Sequence, residues 1–316
     1  MTKFKRIAFL FPGQGAQYPG MAKDFFENFA LVRHIFEEAN DQLKRDISNI
    51  ILKGPEDLLT QTRNSQTGIF LASYALLKVV LDTFQEITPF ASAGLSLGEY
   101  TALVAANHLS FQDALPLVEK RGQFMNDACE NTKGTMAVVM GLDAAQVEQM
   151  VQDLRLHNDL WAANFNCPGQ VVLSGTLKGI EEGSRKAKEL GAKRVLPLQV
   201  YGAFHSGLMR SAEERLKIEL DRVPFNRSEI KVPMNVTGGF VSEPEEIRKA
   251  LSLQVTHPVR WEQGIQALNR EGIDLFVEIG PGKTLSGLNK RIGVLAPTLS
   301  IEKVTDLDIL EKELNG

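Results

Sequence analysis

Short apolar runs alternate along the chain with longer segments in which apolar residues recur every three or four positions. One run covers Ile7 to Phe11 and stops at a Pro-Gly turn, and another covers Pro89 to Ala93 and stops at Gly94. The segment between them, residues 65–84, has the helical period. Buried parallel strands joined by covering helices produce this alternation. The pattern therefore predicts an α/β protein.

The rhythm changes between residues 134 and 197. Patterns typical of strand, helix, strand, strand, helix and strand follow one another there, and a Cys-Pro-Gly turn separates the middle two strands. This order is the signature of a ferredoxin-like unit. We therefore predict a large α/β-hydrolase-like domain with a parallel sheet, made of residues 1–130 and 200–316, and an inserted small ferredoxin-like subdomain of residues 131–199.

Composition and charge narrow the classes of partner. The 316 residues are 43% hydrophobic and 23% charged, which suffices for a large buried core. The formal net charge of -4 gives no overall basic field, so we expect neither a nucleic-acid nor a membrane partner. Cys129 and Cys167 lie far apart and outside any zinc or disulfide pattern, and the first apolar run is shorter than the roughly 7–15 residues of a signal-peptide core. We expect a cytoplasmic monomer without a metal site.

Residues 94–98 read Gly-Leu-Ser-Leu-Gly, between the second predicted strand and a predicted helix. A strand, Gly-x-Ser-x-Gly and a helix form the nucleophile elbow, in which small flanking residues allow a strained turn that exposes the serine hydroxyl. The helix start also brings backbone N–H groups close to the place where an oxyanion would form. A glycine turn with a serine N-cap is the alternative. The context favours Ser96 as a nucleophile.

A serine nucleophile needs a base, and histidine is the usual one because its pKa lies near neutrality. His205 lies in a small-residue loop after a predicted strand and before a predicted helix, where α/β proteins gather active-site residues. A loop histidine that caps the next helix is the other interpretation of this position. Surface or packing roles are expected for the remaining four, which are His34, His108, His157 and His257.

Two glycine turns and one arginine support further hypotheses. The turn FPGQGAQ after the first strand either binds phosphate or presents backbone N–H groups and the Gln14 side chain to a substrate, although Tyr18 breaks the Gly-x-Gly-x-x-Gly dinucleotide pattern. The turn GPGKT lacks the first glycine of a phosphate loop, because Val277 stands there, and this excludes a nucleotidase. Arg121 is either a surface residue or, if it returns to the sheet edge of Ser96, a bidentate partner for a carboxylate.

Seven motifs follow one another along the chain. They are FPGQGAQ, GLSLGEYTAL, KRGQFM, NFNCPGQVVLSG, FHSGLM, HPVRW and EIGPGKTLSGL. In order and spacing they resemble the malonyl-CoA:acyl carrier protein transacylases of bacterial fatty-acid synthesis, over nearly the whole chain. The resemblance implies transfer of a malonyl group from malonyl-CoA to the phosphopantetheine thiol of acyl carrier protein, by ping-pong chemistry without a metal or redox cofactor.

The resemblance also implies a role for each matching catalytic position. Ser96 would carry the malonyl ester, and His205 would act as its base. The backbone carbonyl of Gln254, rather than a carboxylate, would orient the histidine. The oxyanion-hole amides would be those of Gln14 and Leu97.

The same resemblance implies how the substrate is held. Arg121 would pair with the malonyl carboxylate, whereas an acetyl group would leave the guanidinium unpaired. Asn164 and Met125, together with Gln254, complete the implied substrate-binding set. One residue departs from the family, because Leu95 precedes the nucleophile where the family usually has histidine. Since the family assigns that residue no proton transfer, we expect activity to be retained.

Acyl carrier proteins are acidic, so docking on this slightly acidic chain would need a local basic patch. A solvated charged face is the alternative explanation of any such cluster. The candidates are Lys186, Lys188, Lys193 and Arg194 in the predicted insert, and Lys283, Lys290 and Arg291 near the C-terminus.

Three rival functions share some of these features. A lipase- or esterase-like serine hydrolase has the same elbow, but places its histidine close to the C-terminus. A degenerate acyltransferase domain would bind a carrier protein without catalysis, although both Ser96 and His205 are present here. A transacylase for another carboxyacyl-CoA, such as methylmalonyl-CoA in a polyketide pathway, would share Arg121, and Phe204 should crowd an α-methyl branch.

Overall fold

The computed structural model describes residues 3–200 and 202–316 of the chain. Over these residues the strands are β1 (Ile7–Phe11), β2 (Ala91–Gly94), β3 (Gly134–Met140), β4 (Leu160–Cys167), β5 (Gln170–Thr176), β6 (Arg194–Pro197), β7 (Pro233–Met234), β8 (Gly239–Phe240), β9 (Leu275–Ile279) and β10 (Thr298–Ile301). The helices are α1 (Lys23–Asn28), α2 (Ala30–Leu43), α3 (Ile47–Lys53), α4 (Glu56–Thr60), α5 (Thr62–Thr83), α6 (Gly98–Ala105), α7 (Phe111–Asn131), α8 (Ala144–Leu154), α9 (Leu177–Glu189), α10 (Arg210–Leu220), α11 (Pro244–Gln254), α12 (Trp261–Arg270), α13 (Thr284–Ile292) and α14 (Thr305–Asn315). A short 3-10 turn, Gly207–Met209, precedes α10.

One four-stranded sheet is parallel, with the strand order β10, β9, β1 and β2. All five residues of β1 are buried. Ile7, Phe9 and Phe11 belong to one hydrophobic core, and Ala8 and Leu10 belong to another, because successive side chains of a strand point to opposite faces. Helices cover both faces of the sheet, and this is why the run is apolar at every position.

Strands β1 and β2 end at the same edge of this sheet. Phe11 and Gly94, the last residues of these two strands, lie opposite each other in the parallel register. The turns that follow them therefore meet at the carboxyl edge of the sheet, where α/β folds bind their ligands.

Helices α5 and α7 pack closely together in the larger core. A Cβ at Gly122 of α7 would come within 2.9 Å of the Arg63 Cα, so only glycine allows this approach. Glu119 of α7 accepts hydrogen bonds from Arg45 Nη2 at 2.6 Å and from Arg63 Nε. The Arg63 contact holds α7 against α5, and the Arg45 contact ties α7 to the turn between α2 and α3. Arg121 of α7 is fully buried.

The second four-stranded sheet is antiparallel throughout, with the order β4, β5, β3 and β6. Its own core packs against α8 and α9 on one face. On the other face Met136, Ala163 and Val172 join the core of the larger unit. Backbone hydrogen bonds of 2.8 Å from Phe165 N to Val259 O and from Val259 N to Ala163 O also link the two units.

The predicted α/β class is confirmed, with a parallel sheet and a separate antiparallel sheet. The antiparallel sheet is formed by the segment between residues 134 and 197, where the sequence rhythm changes. Strand β7 has only two residues, and Asn235, which directly follows it, contacts the turn at Ser96.

Candidate active site

The turn between β2 and α6 holds Ser96 in the left-handed region, with a φ of 51°. This conformation is strained for a residue that has a side chain. A Cβ at Gly94 would collide with the backbone of Gly98, and a Cβ at Gly98 would collide with the carbonyl oxygen of Phe11. Close packing of the turn therefore requires both flanking glycines. This is the geometry of a nucleophile elbow.

His205 lies beside the serine, with 2.9 Å between Ser96 Oγ and His205 Nε2. On the other side of the ring, Nδ1 lies 2.7 Å from the backbone carbonyl oxygen of Gln254. Because a carbonyl oxygen only accepts, Nδ1 carries the proton and Nε2 is free to accept the serine proton. Burial, reinforced by the charge of Arg121, lowers the pKa of His205 to about 4 against the opposing effect of the Gln254 hydrogen bond. The imidazole is therefore a neutral base at pH 7.

The guanidinium of Arg121 lies next to Ser96. Its Nη2 donates to Ser96 Oγ at 3.1 Å and to Gln254 Oε1 at 2.8 Å, and its Nη1 donates to Gln66 Oε1. The ring centroid of Tyr100 lies 5.5 Å from the guanidinium carbon. Within residues 3–200 and 202–316 Arg121 forms no ion pair, and its Nε has no hydrogen-bond partner. A buried positive charge held by amides and an aromatic ring is thus available to an anion beside the serine.

Glu99, in the first turn of α6, is also fully buried. Its Oε1 accepts from the backbone N–H of Asn235 at 2.5 Å, and its Oε2 accepts from Gln254 Nε2 at 2.6 Å. Burial raises the pKa of Glu99 to about 8, while these two donors and the charge of Arg121 act to lower it. The Gln254 amide thus connects the carboxylate to the guanidinium, since its nitrogen donates to Glu99 and its oxygen accepts from Arg121.

Two backbone N–H groups near the serine are free to bind an oxyanion. Leu97 directly follows Ser96, and Gln14 lies in the turn after β1, which is adjacent to β2. Neither N–H donates to a protein acceptor in the part of the chain that the structure describes. The Ser96 carbonyl accepts from Glu99 N at 3.1 Å and from Gln254 Nε2 at 2.9 Å. Because the C=O and N–H of a trans peptide point in opposite directions, the Leu97 N–H points away from these donors.

A cavity of about 200 Å³ opens at Ser96 and His205. Three of the residues predicted from the sequence line it, namely Gln14, Asn164 and Met125. Much of the remaining wall is apolar and includes Leu95, Met136, Val172, Leu198, Val200 and Phe204. The other predicted residues, Leu97, Arg121 and Gln254, are fully buried and lie beneath this lining.

The other histidines lie away from the cavity lining. His108 is fully buried, and its Nδ1 lies 2.8 Å from the carbonyl oxygen of Asn226, which is a packing role. Three residues of the site are absent from the sequence-based prediction, namely Gln66, Glu99 and Asn235. Gln66 accepts from Arg121, and its position as an amide in the buried stretch of α5 was a usable signal. Asn235 accepts from the Ser96 N–H, and no local pattern indicated it.

The described ranges contain no cluster of three or more His, Cys, Asp or Glu side chains that could hold a metal ion. Cys129 and Cys167 are both free thiols. Among the helices of these ranges, none is long and apolar enough to cross a membrane.

Comparison with known proteins agrees with this geometry. The chain matches the acyl transferase domain over residues 8–291, which defines its class as an acyltransferase. It is 43% identical over 307 residues to the malonyl CoA-acyl carrier protein transacylase of Bacillus subtilis, covering 96% of each chain. The malonyl CoA-acyl carrier protein transacylase of Clostridium perfringens has a similar structure, with a TM-score of 0.93, 35% identity and 98% of both chains covered. The chain therefore belongs to the malonyl CoA-acyl carrier protein transacylase family.

A further similar structure is PlMCAT:AntF, a malonyl-transacylase in complex with its type II PKS acyl-carrier protein. The TM-score is 0.91 and the identity 35%, with 98% of this chain and 99% of that chain covered. The family resemblance inferred from the seven motifs is thus confirmed.

Proposed function

We propose that the chain transfers a malonyl group from malonyl-CoA to the phosphopantetheine thiol of acyl carrier protein, through an ester on Ser96, and so supplies extender units for fatty-acid synthesis. One observation carries the proposal. Ser96 Oγ lies 2.9 Å from the neutral base His205 and 3.1 Å from Arg121, a buried guanidinium without an ion-pair partner in the described chain. A nucleophile beside an unpaired cation suits an acyl group that carries its own carboxylate.

In the first half-reaction the serine attacks the thioester carbonyl. The Ser96 proton passes to His205 Nε2 as the new carbon–oxygen bond forms. The carbonyl oxygen becomes an oxyanion, which the free N–H groups of Gln14 and Leu97 stabilise. As the carbon–sulfur bond breaks, the imidazolium returns the proton to the departing CoA thiolate. The Gln254 carbonyl holds the Nδ1 proton throughout and keeps the ring in the productive tautomer.

In the second half-reaction the same groups act in reverse. The carrier thiol gives its proton to His205 and attacks the ester carbonyl, and the proton then returns to Ser96 as the ester breaks. These steps use only acid–base groups of the chain and the thioester, so we propose that no cofactor takes part. We propose that the apolar part of the cavity wall favours the carrier thiol over water at the ester.

Arg121 supplies the choice of acyl group. When malonyl-CoA binds, its carboxylate pairs with the guanidinium beside Ser96, in a site from which water is excluded. An acetyl group leaves that buried charge unpaired, which costs about 2–3 kcal/mol and reduces acylation by roughly a hundredfold. Asn164 and Met125 line the path of the remaining substrate.

The test is the intact mass of the enzyme after brief mixing with malonyl-CoA or acetyl-CoA. We expect a malonyl adduct on Ser96, no adduct in Ser96→Ala, and a weaker malonyl adduct in Arg121→Ala. Addition of phosphopantetheinylated acyl carrier protein should remove the adduct and load the carrier. An enzyme that forms no adduct and only hydrolyses simple esters would instead be a lipase-like hydrolase.

A second candidate is a carboxyacyl transacylase that serves a polyketide pathway. The similarity to PlMCAT:AntF favours testing it, since that malonyl-transacylase is bound to a type II PKS acyl-carrier protein. Phe204 lines the cavity and should crowd the α-methyl branch of methylmalonyl-CoA. Comparing the loading rates of malonyl-CoA and methylmalonyl-CoA, and of fatty-acid and polyketide carriers, distinguishes the two functions.

We also propose where the acidic carrier docks. The cavity is lined by residues 198–200, which directly follow the edge strand β6, so Arg194 of β6 and the preceding Lys193 are the residues of the first patch on the cavity side. Lys186 and Lys188 lie on α9, which covers the other face of the antiparallel sheet. The second patch, Lys283, Lys290 and Arg291, lies on and just before α13, and Arg291 Nη1 donates to Gln170 Oε1 of β5 at 2.6 Å. Each patch is tested separately by charge reversal. Reversal at the patch that binds the carrier should slow malonyl transfer to the carrier while leaving malonyl exchange between malonyl-CoA and free CoA unchanged.

The finer description of the fold is likewise a proposal. We assign residues 1–130 and 200–316 to an α/β-hydrolase-like domain and residues 131–199 to a ferredoxin-like subdomain. The element order from β3 to β6 and the strand order β4, β5, β3, β6 support the second assignment. We further propose that the chain is a monomer and that it lies in the cytoplasm, and the two free thiols support the second of these proposals. Light scattering tests the first, and cell fractionation the second.

A further inference from the structure

Asn235 lies outside every motif, yet its side chain holds the nucleophile turn from both ends. Its Oδ1 accepts from the Ser96 N–H at 2.7 Å, and its Nδ2 donates to the Gly94 carbonyl at 2.8 Å. The residue is only 4% exposed. Its backbone is fixed as well, because the N–H donates to Glu99 Oε1 and the carbonyl accepts from Arg260 N at 2.8 Å. Every polar group of Asn235 is thus occupied.

The two peptide groups that flank Ser96 are held by different residues. In the preceding peptide, the Leu95 carbonyl accepts from Gly98 N at 2.9 Å and the Ser96 N–H is held by Asn235. In the following peptide, the Ser96 carbonyl is held by Gln254 Nε2. Removal of the Asn235 amide would leave the first peptide tied at one end only and bury an N–H without an acceptor.

The left-handed φ of Ser96 makes this hydrogen bond consequential. A residue with a side chain keeps such a φ only when its surroundings over-determine it. Rotation of the loosened peptide would move Ser96 Oγ away from His205 and would turn the Leu97 N–H at the same time. Displacement of reacting groups by about 1 Å is enough to cost about a hundredfold in rate.

We propose that Asn235 is a positioning residue for acyl transfer: its amide fixes the peptide before Ser96, and the Glu99 carboxylate couples it to Gln254, which fixes the peptide after Ser96. The inference rests on the proposed serine ester and adds the residues that hold the serine. The turn at Ser96 then needs two things: glycine at positions 94 and 98, and the hydrogen bonds of Asn235, which lies in the distant turn after β7.

The experiment measures the rate of malonyl-ester formation on Ser96 by rapid quench and intact mass, together with KM, for the full chain and two variants. In Asn235→Ala we expect acylation to slow by about a hundredfold. KM should change less than about threefold, since Arg121 and the cavity lining are untouched. The matched control is Asn289→Ala, because Asn289 is equally buried in α13 but its amide donates to Thr298 Oγ1. Its acylation rate should stay within about twofold of the parent rate.

Asn235→Asp adds a readout that a merely structural role would not give. One carboxyl oxygen can still accept from the Ser96 N–H, but the other meets the Gly94 carbonyl and satisfies it only when protonated. The charged or titratable groups around this position are Glu99, Arg121, His205 and Arg260. Desolvation raises the pKa of a carboxyl introduced here. We therefore expect the acylation rate of this variant, divided by the parent rate at the same pH, to rise about tenfold between pH 8 and pH 6. The ratio removes the effect of Glu99, whose pKa of about 8 lies in the same window in both proteins.

Each outcome decides between the hypotheses. A parent enzyme that forms no malonyl ester contradicts the proposed function. A parent that forms the ester, with Asn235→Ala equally fast or an Asn235→Asp variant whose rate relative to the parent does not rise at low pH, contradicts the positioning role. Should Asn235→Ala fail to fold, the Asp variant alone decides, because recovery of its rate within one preparation requires folded protein.

Discussion

The pH dependence of serine acylation is the most direct consequence of the buried dyad. Burial lowers the pKa of His205 to about 4, so the base stays neutral well into the acid range. At about pH 5.5 an imidazole with a pKa of about 4 is about 97% neutral, whereas one with the ordinary pKa of about 6.5 is only about 10% neutral. We therefore expect acylation at pH 5.5 to equal that at pH 7.5 within experimental error, instead of falling tenfold.

The assay should report the free enzyme and a substrate that does not titrate in this range. The quantity kcat/KM for the first half-reaction reports the free enzyme, and malonyl-N-acetylcysteamine carries no phosphate group. Thioester cleavage is followed between pH 4 and pH 8, with circular dichroism as the check that the protein remains folded. A break in kcat/KM near pH 6.5 would refute the argument, because it would mean that His205 titrates as an exposed histidine does.

The charge of Arg121 near His205 predicts that kcat and kcat/KM depend differently on pH. The charge of Arg121 contributes to the lowered pKa of His205. In the proposed substrate complex the malonyl carboxylate would neutralise that charge, so we expect the pKa of His205 to be higher there. The break in kcat should therefore lie at higher pH than the break in kcat/KM, and the opposite order would show that the carboxylate does not bind Arg121.

Folding stability should follow the same titration. The unfolded chain protonates His205 near pH 6.5, whereas the folded chain does so only near pH 4. Between these values the unfolded state binds more protons, so the unfolding free energy falls as pH is lowered through the window, by at most roughly 3 kcal/mol from this residue. Urea unfolding of the parent and of His205→Gln at pH 7 and pH 4.5 should show the parent losing more stability, and equal losses would contradict the assignment.

Three further substitutions test other parts of the structure. Arg121→Ala should slow malonyl loading by roughly a hundredfold and leave acetyl loading within a few fold, and equal losses with both acyl-CoA substrates would argue against a carboxylate-binding role. Gly98→Ala should lower the thermal midpoint and abolish acylation because its Cβ meets the Phe11 carbonyl, whereas Gly287→Ala, with open space around it, should do neither. Glu278→Gln should lower the free energy of unfolding in urea by about 1–3 kcal/mol. The buried carboxyl group accepts from Leu285 N, Ser286 N and Ser300 Oγ, and an amide would put a donor in place of one acceptor oxygen. An unchanged urea midpoint would show that these bonds do not stabilise the fold.

Leu95, which stands where the family usually has histidine, lies at the cavity. Its side chain lines the wall and packs against the second core, and the dyad contact between Ser96 and His205 is present beside it. We therefore still predict that the enzyme is active with leucine at position 95, and a substitution at this position tests the prediction. Leu95→His should leave the Ser96 acylation rate within a few fold and alter mainly hydrolysis of the ester, because it adds a polar group near the bond that water would attack.

Local sequence determined the elements that carry the reacting groups. The unbroken apolar runs predict strands buried on both faces, and β1 and β2 are such strands because helices cover the sheet on both sides. The glycines around Ser96 predict a sharp turn, since no other residue fits where Gly94 meets Gly98. These signals are readable because each depends on neighbours within a few positions along the chain.

The partners of the reacting groups come from distant segments, and only the tertiary structure decided them. Ser96 receives His205 from 109 positions away and Asn235 from 139 positions away. The buried state of Arg121, on which its proposed role as a carboxylate partner depends, follows from how α7 packs against α5. Periodicity along the chain describes which face of an element is buried, but hydrogen bonds between elements depend on their relative placement. For this reason Ser96 could be predicted as a nucleophile from its glycine turn and the flanking strand and helix. Glu99 and Asn235, which hold that turn, were found only in the fold, and the buried position of Gln66 in α5 did not reveal that it binds Arg121.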